Sequence, residues 1–282
     1  MTIFKCLAIG SFLLMTGCKS NPDSAGLSEV QDPQLEGNQK ARINETVYNA
    51  TSSLGGALKL LGPSNLPVIS PDVLAKTNCI ISMQVERGAF LLGGSGGEGL
   101  MSCRIPGGWS APSFLKTGGF DLGASIGWER LQTTMLVADQ NLASAWRQNG
   151  SFEVSTYVKA IVGDASAALQ SFGQNGLAVV QISNGGLYAG VGVSFSSLNH
   201  AQETRNQAVY GETLGGGIPT DGGGRSCSTY LLPGRRNGCI AEWQQRTGKK
   251  VTPVLPSQIL SMPNDAAPIL TKPFNDLLRN IP

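Results

Sequence analysis

Twenty-six of the 37 glycines in this chain of 282 residues fall between Gly93 and Gly224, and no other feature restricts its fold as much. An average usage of about 7% would place roughly 20 glycines in the whole chain. No G-x-y period runs through the stretch, which excludes a collagen triple helix. Short apolar runs separate the glycines instead. Cys79–Val85, Ala89–Leu92, Leu100–Ile105, Phe120–Trp128, Thr133–Val137, Leu177–Ser183 and Leu187–Phe195 read as strands. Asn184-Gly185 predicts a two-residue hairpin turn between the last two, because both residues tolerate positive φ. In Leu187–Phe195 one face is Leu187, Ala189, Val191, Val193 and Phe195, while the other is nearly bald. A bald face lets a second backbone or sheet approach closely.

Helices flank this β-rich centre. From Ala41 to Leu61 the residues Ile43, Val47, Leu54, Leu58 and Leu61 recur at three-to-four-residue spacing. They predict an amphipathic helix ended by Gly62-Pro63 and weak at Ser52-Ser53 and Gly55-Gly56. Ser70 and Pro71 predict a second helix start. Further helices are expected at Asn141–Gln148, Leu198–Val209 and Phe274–Asn280. The class is α+β, a twisted, mostly antiparallel sheet, sandwich- or barrel-like, with an N-terminal amphipathic helix and a few packing helices. Gly215-Gly216-Gly217 and Gly222-Gly223-Gly224 mark a boundary. The chain divides into 1–17, 18–37, 38–214 and a basic, Gly/Pro-rich extension over 215–282.

The first segment is an address. Lys5 precedes the apolar run Cys6–Met15, too short for a bilayer core that needs about 20 helical residues, and this predicts a signal peptide over 1–17. Met15-Thr16-Gly17-Cys18 resembles the bacterial lipobox, whose cysteine becomes a lipidated N-terminus. Three acyl chains on Cys18 would anchor the protein stably. Lys19 after that cysteine implies the outer membrane of a Gram-negative bacterium, facing the periplasm or the cell surface. The polar stretch 18–37 reads as a flexible tether.

An exported chain meets an oxidising compartment, and Cys79, Cys103, Cys227 and Cys239 remain beyond Cys6 and Cys18. Four cysteines allow three connectivities. The local pairs Cys79–Cys103 and Cys227–Cys239 are favoured. With His200 the one histidine and no C-x-x-C, no metal site is expected.

Charged residues are 14% and the formal net charge is +2, too little for a protein built around nucleic acid. Gly94–Gly99 satisfies G-x-G-x-x-G, but a dinucleotide fingerprint must open a helix and Leu100–Cys103 reads as a strand. No cofactor is expected. Gly93–Gly97 also matches G-x-S-x-G around Ser95, which as a serine hydrolase would need His200 as base and Asp139 or Asp164 as orienting acid. Arg225–Lys250 carries six basic residues against Glu242 alone. Within it Arg235, Arg236, Lys249 and Lys250 are candidate contacts for anionic lipid head groups, each cation near a membrane contributing about 1 kcal/mol.

Several blocks resemble the SYLF-domain family. They are Ile69–Lys76; Gly93-Gly94-Ser95-Gly96-Gly97-Glu98-Gly99-Leu100 with Arg104; Gly108-Trp109-Ser110-Ala111-Pro112-Ser113-Phe114, close to the family's W-S-x-P-x-F; Gly118-Gly119 and Ile126-Gly127; Gly163–Ala168; and Gly185–Val191 followed by Asn206 and Tyr210-Gly211. Their order and spacing agree over about 41–214. Thr77-Asn78-Cys79 and Ala124-Ser125 depart from the family's pattern. Eukaryotic members bind phosphoinositides and actin, and bacterial members are often lipoproteins. The family's basic amphipathic N-terminal segment implies lipid contact through Lys40, Arg42 and Lys59 here. The resemblance implies a non-enzymatic, membrane-anchored lipid-binding lipoprotein of the envelope. An envelope structural or protein-interaction role, and hydrolysis at Ser95, are the alternatives.

Overall fold

The computed structural model describes residues 33–61, 65–149, 151–156, 168–170, 176–200, 205–224, 226–227, 230 and 232–281. The expected signal peptide, Cys18, Asp164, most of the Gly163–Ala168 block and Arg225 lie outside these residues. From Pro33 onward the chain is one compact unit.

The apolar spacing after Ala41 produces α1, Pro33–Lys59. Proline suits the first helical turn because its missing N–H has no intrahelical partner to lose, so residues 33–37 are helix and not tether. Ile43, Val47, Ala50, Leu54 and Ala57 form the buried stripe. Leu61, expected on that stripe, lies beyond the helix end and is exposed. The glycines in the helix centre have a packing reason. A Cβ on Gly56 would meet Ile182 Cδ1 at 3.3 Å and Gln132 Oε1 at 3.4 Å, so the helix rests close on the sheet. Hydrogen bonds fix it there, from Ser53 Oγ to the Met83 carbonyl (3.1 Å) and from Ser82 Oγ to the Ala50 carbonyl (3.0 Å). The short helix α2, Pro71–Lys76, begins as expected, with Ser70 Oγ accepting from Val73 N at 3.3 Å.

The sheet contains β1 (Cys79–Ile105), β2 (Gly108–Trp109), β3 (Ser113–Val137), β4 (Ser151–Thr156), β5 (Ala168–Gln170) and β6 (Leu177–His200). α3, Gln140–Gln148, follows β3 and is capped by Asp139, whose Oδ1 accepts from Leu142 N at 2.6 Å. The strand order is β2-β1-β3-β6-β4, with β5 beside β6, and every pairing is antiparallel. The expected α+β class with a mostly antiparallel sheet is the observed one. The individual strands differ from the sequence reading. Runs that glycines separate in the sequence are joined into strands of 27, 25 and 24 residues, because neighbours on the sheet supply ladder hydrogen bonds that outweigh the local cost of glycine.

Asn184-Gly185 is therefore not a hairpin turn. Ser183 pairs with Leu131 and Gly186 with Glu129, so two residues of β6 oppose Arg130 alone. That two-to-one count is a β-bulge. The helix expected from Leu198 is also displaced. Leu198–His200 pair with Leu115–Thr117 of β3, and among the described residues helix begins at Arg205-Asn206 and continues as α4, Gln207–Tyr210.

The long strands fold back on themselves. Cys79 and Cys103, at opposite ends of β1, have Cα atoms 4.0 Å apart and are disulfide-bonded. Arg104 N donates to the Asn78 carbonyl at 2.7 Å. A Cβ on Gly99 would stand 2.7 Å from Met83 Cα, and one on Gly97 would stand 2.9 Å from Val85 Cα. Glycine is required at both positions because the two halves of one strand cross there without room for a side chain. Around the crossing both faces are buried. Ile80, Leu100, Phe114 and Leu136 pack with α1, while Ile81, Met83, Met101, Leu115 and Met135 pack with Ala143 and Trp146 of α3.

Beyond α4 lie α5 (Pro233–Thr247), α6 (Pro256–Ile259), two 3-10 turns and α7 (Lys272–Arg279). This region, set apart by its composition, contributes Val254, Ile259, Phe274, Leu278 and Ile281 to the same core as α1. Ala111 N donates to the Met262 carbonyl at 2.6 Å, so the C-terminal residues are integral to the fold.

Candidate lipid-facing surface and its supports

Three of the motif blocks that carry the family resemblance, those of Gly93–Arg104, Gly108–Phe114 and Asn206–Gly211, are joined by direct contacts. Asn206 Oδ1 accepts from Phe114 N at 2.8 Å, and its Nδ2 donates to Ser113 Oγ (3.0 Å) and to the Phe114 carbonyl (3.2 Å). Tyr210 Oη donates to the Pro112 carbonyl at 2.6 Å, and complete burial pushes its phenol far above the usual range. Trp109 is buried under the Arg104 guanidinium, 4.5 Å from the ring centroid. Residues nearly a hundred positions apart thus form one buried latch, which satisfies the backbone where β3 begins. Glu98 of the glycine-rich block ties β1 to two other elements. It accepts from Arg205 at 2.6 Å and from Thr46 Oγ1 of α1 at 3.1 Å.

The hydrolase constellation is not assembled. Ser95 lies within β1 opposite Gly119, and the strand runs on to Ile105 where an elbow would need a helix. His200 sits on β6 opposite Leu115, which in turn faces Gly99 of β1. It is therefore two strands across and four positions along from Ser95, roughly 13 Å along the strand direction. Asp139 is occupied as the cap of α3. The histidine makes different contacts. Its Nδ1 is 2.7 Å from Ser113 Oγ and its Nε2 is 3.1 Å from the Trp146 carbonyl. With Nε2–H donating to that carbonyl, Nδ1 accepts the Ser113 hydroxyl. Ser113 is fully buried, so this pair braces the interior and cannot meet a substrate. Burial lowers the imidazole to about 4, against the opposing pull of the Trp146 carbonyl.

The candidate cations do not form one patch. Lys40, Arg42 and Lys59 are all exposed on α1, but Lys40 and Lys59 are about 29 Å apart along the helix at 1.5 Å per residue. Arg42 lies 4.0 Å from Glu98. Arg235 and Arg236 occupy the first turns of α5, the former exposed and the latter half-buried, and Lys249 and Lys250 follow its C-terminal Gly248, exposed. Cys227 and Cys239 are disulfide-bonded, which ties the preceding loop to α5. More telling is the stripe of α1. The apolar face of the segment whose cations the family resemblance implied for lipid contact is spent on the protein's own core.

One exposed apolar feature escaped the sequence reading. Past Lys59 the chain turns back on itself, closed by the Leu61–Pro67 bridge and by Val68 N donating to the Leu60 carbonyl at 2.8 Å. Leu61 and Leu66 are 56% and 66% exposed. Gly62-Pro63 was legible as a helix stop, but nothing local told that the flanking leucines would face outward. Among the described residues no helix is long and apolar enough to cross a membrane, and no group of three or more potential metal ligands comes together.

Comparison with known proteins places these features. The chain is 28% identical to SH3 domain-containing YSC84-like protein 1 of Xenopus laevis over 149 residues, 51% of this chain and 44% of that protein. It is 28% identical to LAS seventeen-binding protein 3 of Saccharomyces cerevisiae over 151 residues, 51% of this chain and 33% of that one. It is 30% identical to SH3 domain-containing protein PJ696.02 of Schizosaccharomyces pombe over 156 residues, 51% and 34%. These homologues are proteins of the SYLF-domain family, and the chain spans less than half the length of each. One of these names describes a binding protein and the other two name an SH3 domain. No protein-family model matches the chain, and no solved structure matches it.

Proposed function

We propose that this protein is a non-enzymatic, lipid-anchored lipid-binding protein of a bacterial envelope, held to the outer membrane through Cys18. Its folded part touches the bilayer with the loop after α1. Similarity to SYLF-domain proteins over half the chain supports the binding class. The observation that carries the membrane contact is the exposed pair Leu61 and Leu66 beside Lys59. Apolar side chains that enter the head-group region with a flanking cation combine buried area with attraction to anionic lipid. Lys40, Arg42, Arg235, Lys249 and Lys250 would add a diffuse, salt-sensitive attraction.

The test is co-sedimentation of unlipidated residues 33–282 with vesicles of graded anionic content. Binding that rises with anionic lipid, falls with salt and drops at least about fivefold in Leu61→Ser/Leu66→Ser is expected. No binding at low salt would reduce the membrane attachment to the anchor alone and favour a protein partner in the envelope. Replacing Cys18 by Ser should leave the full chain in the membrane fraction only through salt-sensitive contacts, so that a high-salt wash releases it.

A further inference from the structure

A cavity of about 330 Å³ lies between α4, the segments 218–219 and 226–227, α5 and the segment 251–253, and it shares no lining residue with the loop assigned to the bilayer. Its walls are tied on every side. The Cys227–Cys239 bond joins loop to helix. Gln207 Nε2 donates to the Gly217 carbonyl at 2.7 Å, and its Oε1 accepts from Val254 N at 3.0 Å. Cys227 N donates to the Pro219 carbonyl at 2.8 Å. Such a site needs little ordering to receive a ligand, which removes one of the costs of binding.

The lining defines the ligand. Ile218, Ile240 and Val251 make an apolar interior, while Ser226, Arg236 and Asn237 supply the polar groups. Among the described residues no acidic side chain lines the cavity, and the one charged group that does is a cation, Arg236. A methylene takes about the space of a water, about 30 Å³, so the volume suits roughly ten methylene-sized groups. We propose that the cavity binds one medium-length acyl chain carrying a carboxylate, its tail against Ile218, Ile240 and Val251 and its head at Arg236 and Asn237. The choice of an acyl ligand rests on the lipid-binding reading, but the site is separate from the vesicle-binding loop. The volume favours a free fatty acid over a two-chain phospholipid.

Titration calorimetry of residues 33–282 with decanoate, below its micelle concentration, tests this. One saturable site is expected, with butyrate far weaker because each buried methylene tightens binding about fourfold. Ile240→Trp should fill the cavity and abolish binding. Arg236→Gln, on a half-buried position, should weaken it about tenfold, and decides the matter if the tryptophan variant does not fold. Both variants should still sediment with vesicles, which separates failure of this site from failure of the membrane proposal. Absence of saturable binding by decanoate, undiminished binding in Arg236→Gln, or tighter binding of dihexanoyl-phosphatidylglycerol than of decanoate would each overturn the assignment.

Discussion

Acidification from pH 7.5 to 4 should destabilise this protein through His200, and the effect can be isolated. The neutral ring accepts the Ser113 hydroxyl at Nδ1 and donates to the Trp146 carbonyl from Nε2. A second ring proton would reach Ser113 Oγ, which already accepts from Asn206 Nδ2, and would place a charge in the interior. The ring is held near 4 in the folded chain against an ordinary value of 6.5. The unfolded chain therefore binds more protons between those values, so the contribution is complete above about pH 6.5 and is lost as pH falls toward 4. At about 1.4 kcal/mol per factor of ten, the gap amounts to about 3 kcal/mol. Carboxylates titrate over the same range, so the measurement is a difference. Urea unfolding of wild type and His200→Gln is compared at half-unit steps, glutamine offering one donor and one acceptor to the same partners. The wild type's advantage over the variant should be constant above pH 6.5 and shrink by about 3 kcal/mol by pH 4. Parallel stability curves would show that the imidazole is not held neutral by its surroundings.

Three shorter predictions concern the fold that supports the surface. Gly99→Ala should cost about 2–3 kcal/mol by overpacking the strand crossing, whereas Gly118→Ala, whose Cβ meets nothing within 4 Å, should stay within about 0.5 kcal/mol. Equal melting temperatures for the two would contradict the crossing. Asn206→Ala strips three partners from the latch at Ser113 and Phe114 and should cost about 2–4 kcal/mol in denaturant unfolding, as buried groups left unpaired do. Removing the Cys227–Cys239 bond by paired alanines should lower stability by about 2–3 kcal/mol for so short a loop. The same change should increase hydrogen exchange in α5 more than in α1, and uniform exchange would count against a local tie.

What could be read from the sequence was local. The stripe Ile43-Val47-Leu54, the Ser70-Pro71 start and the helix near Asn141–Gln148 each depend on residues within a few positions of one another. Their predicted elements therefore match the structure. The same locality misled at Asn184-Gly185 and at Leu198–His200, where a turn or helix preference yields to pairing with β3, more than fifty residues away in sequence. The blocks Trp109–Phe114 and Asn206-Tyr210 were recognisable as a family pattern, yet that Asn206 caps Phe114 follows only once β3 and β6 lie side by side. Ser95 and His200 read as a pair in one dimension and are held apart in three by the intervening β3 and by four positions of register.

The glycine concentration shows the division most clearly. By itself the sequence determined that the stretch from Gly93 to Gly224 would permit close approach and would not form a nucleotide loop, since strand-forming residues follow where a helix would be needed. Only the tertiary structure decided that Gly97 and Gly99 lie where β1 crosses its own first half, and that Leu61 faces outward while Ile43, Val47 and Leu54 of the same stripe are buried. Close approach and exposure depend on what stands opposite a residue. That partner is brought there by the folding of strands 24 to 27 residues long, which no neighbouring residue specifies.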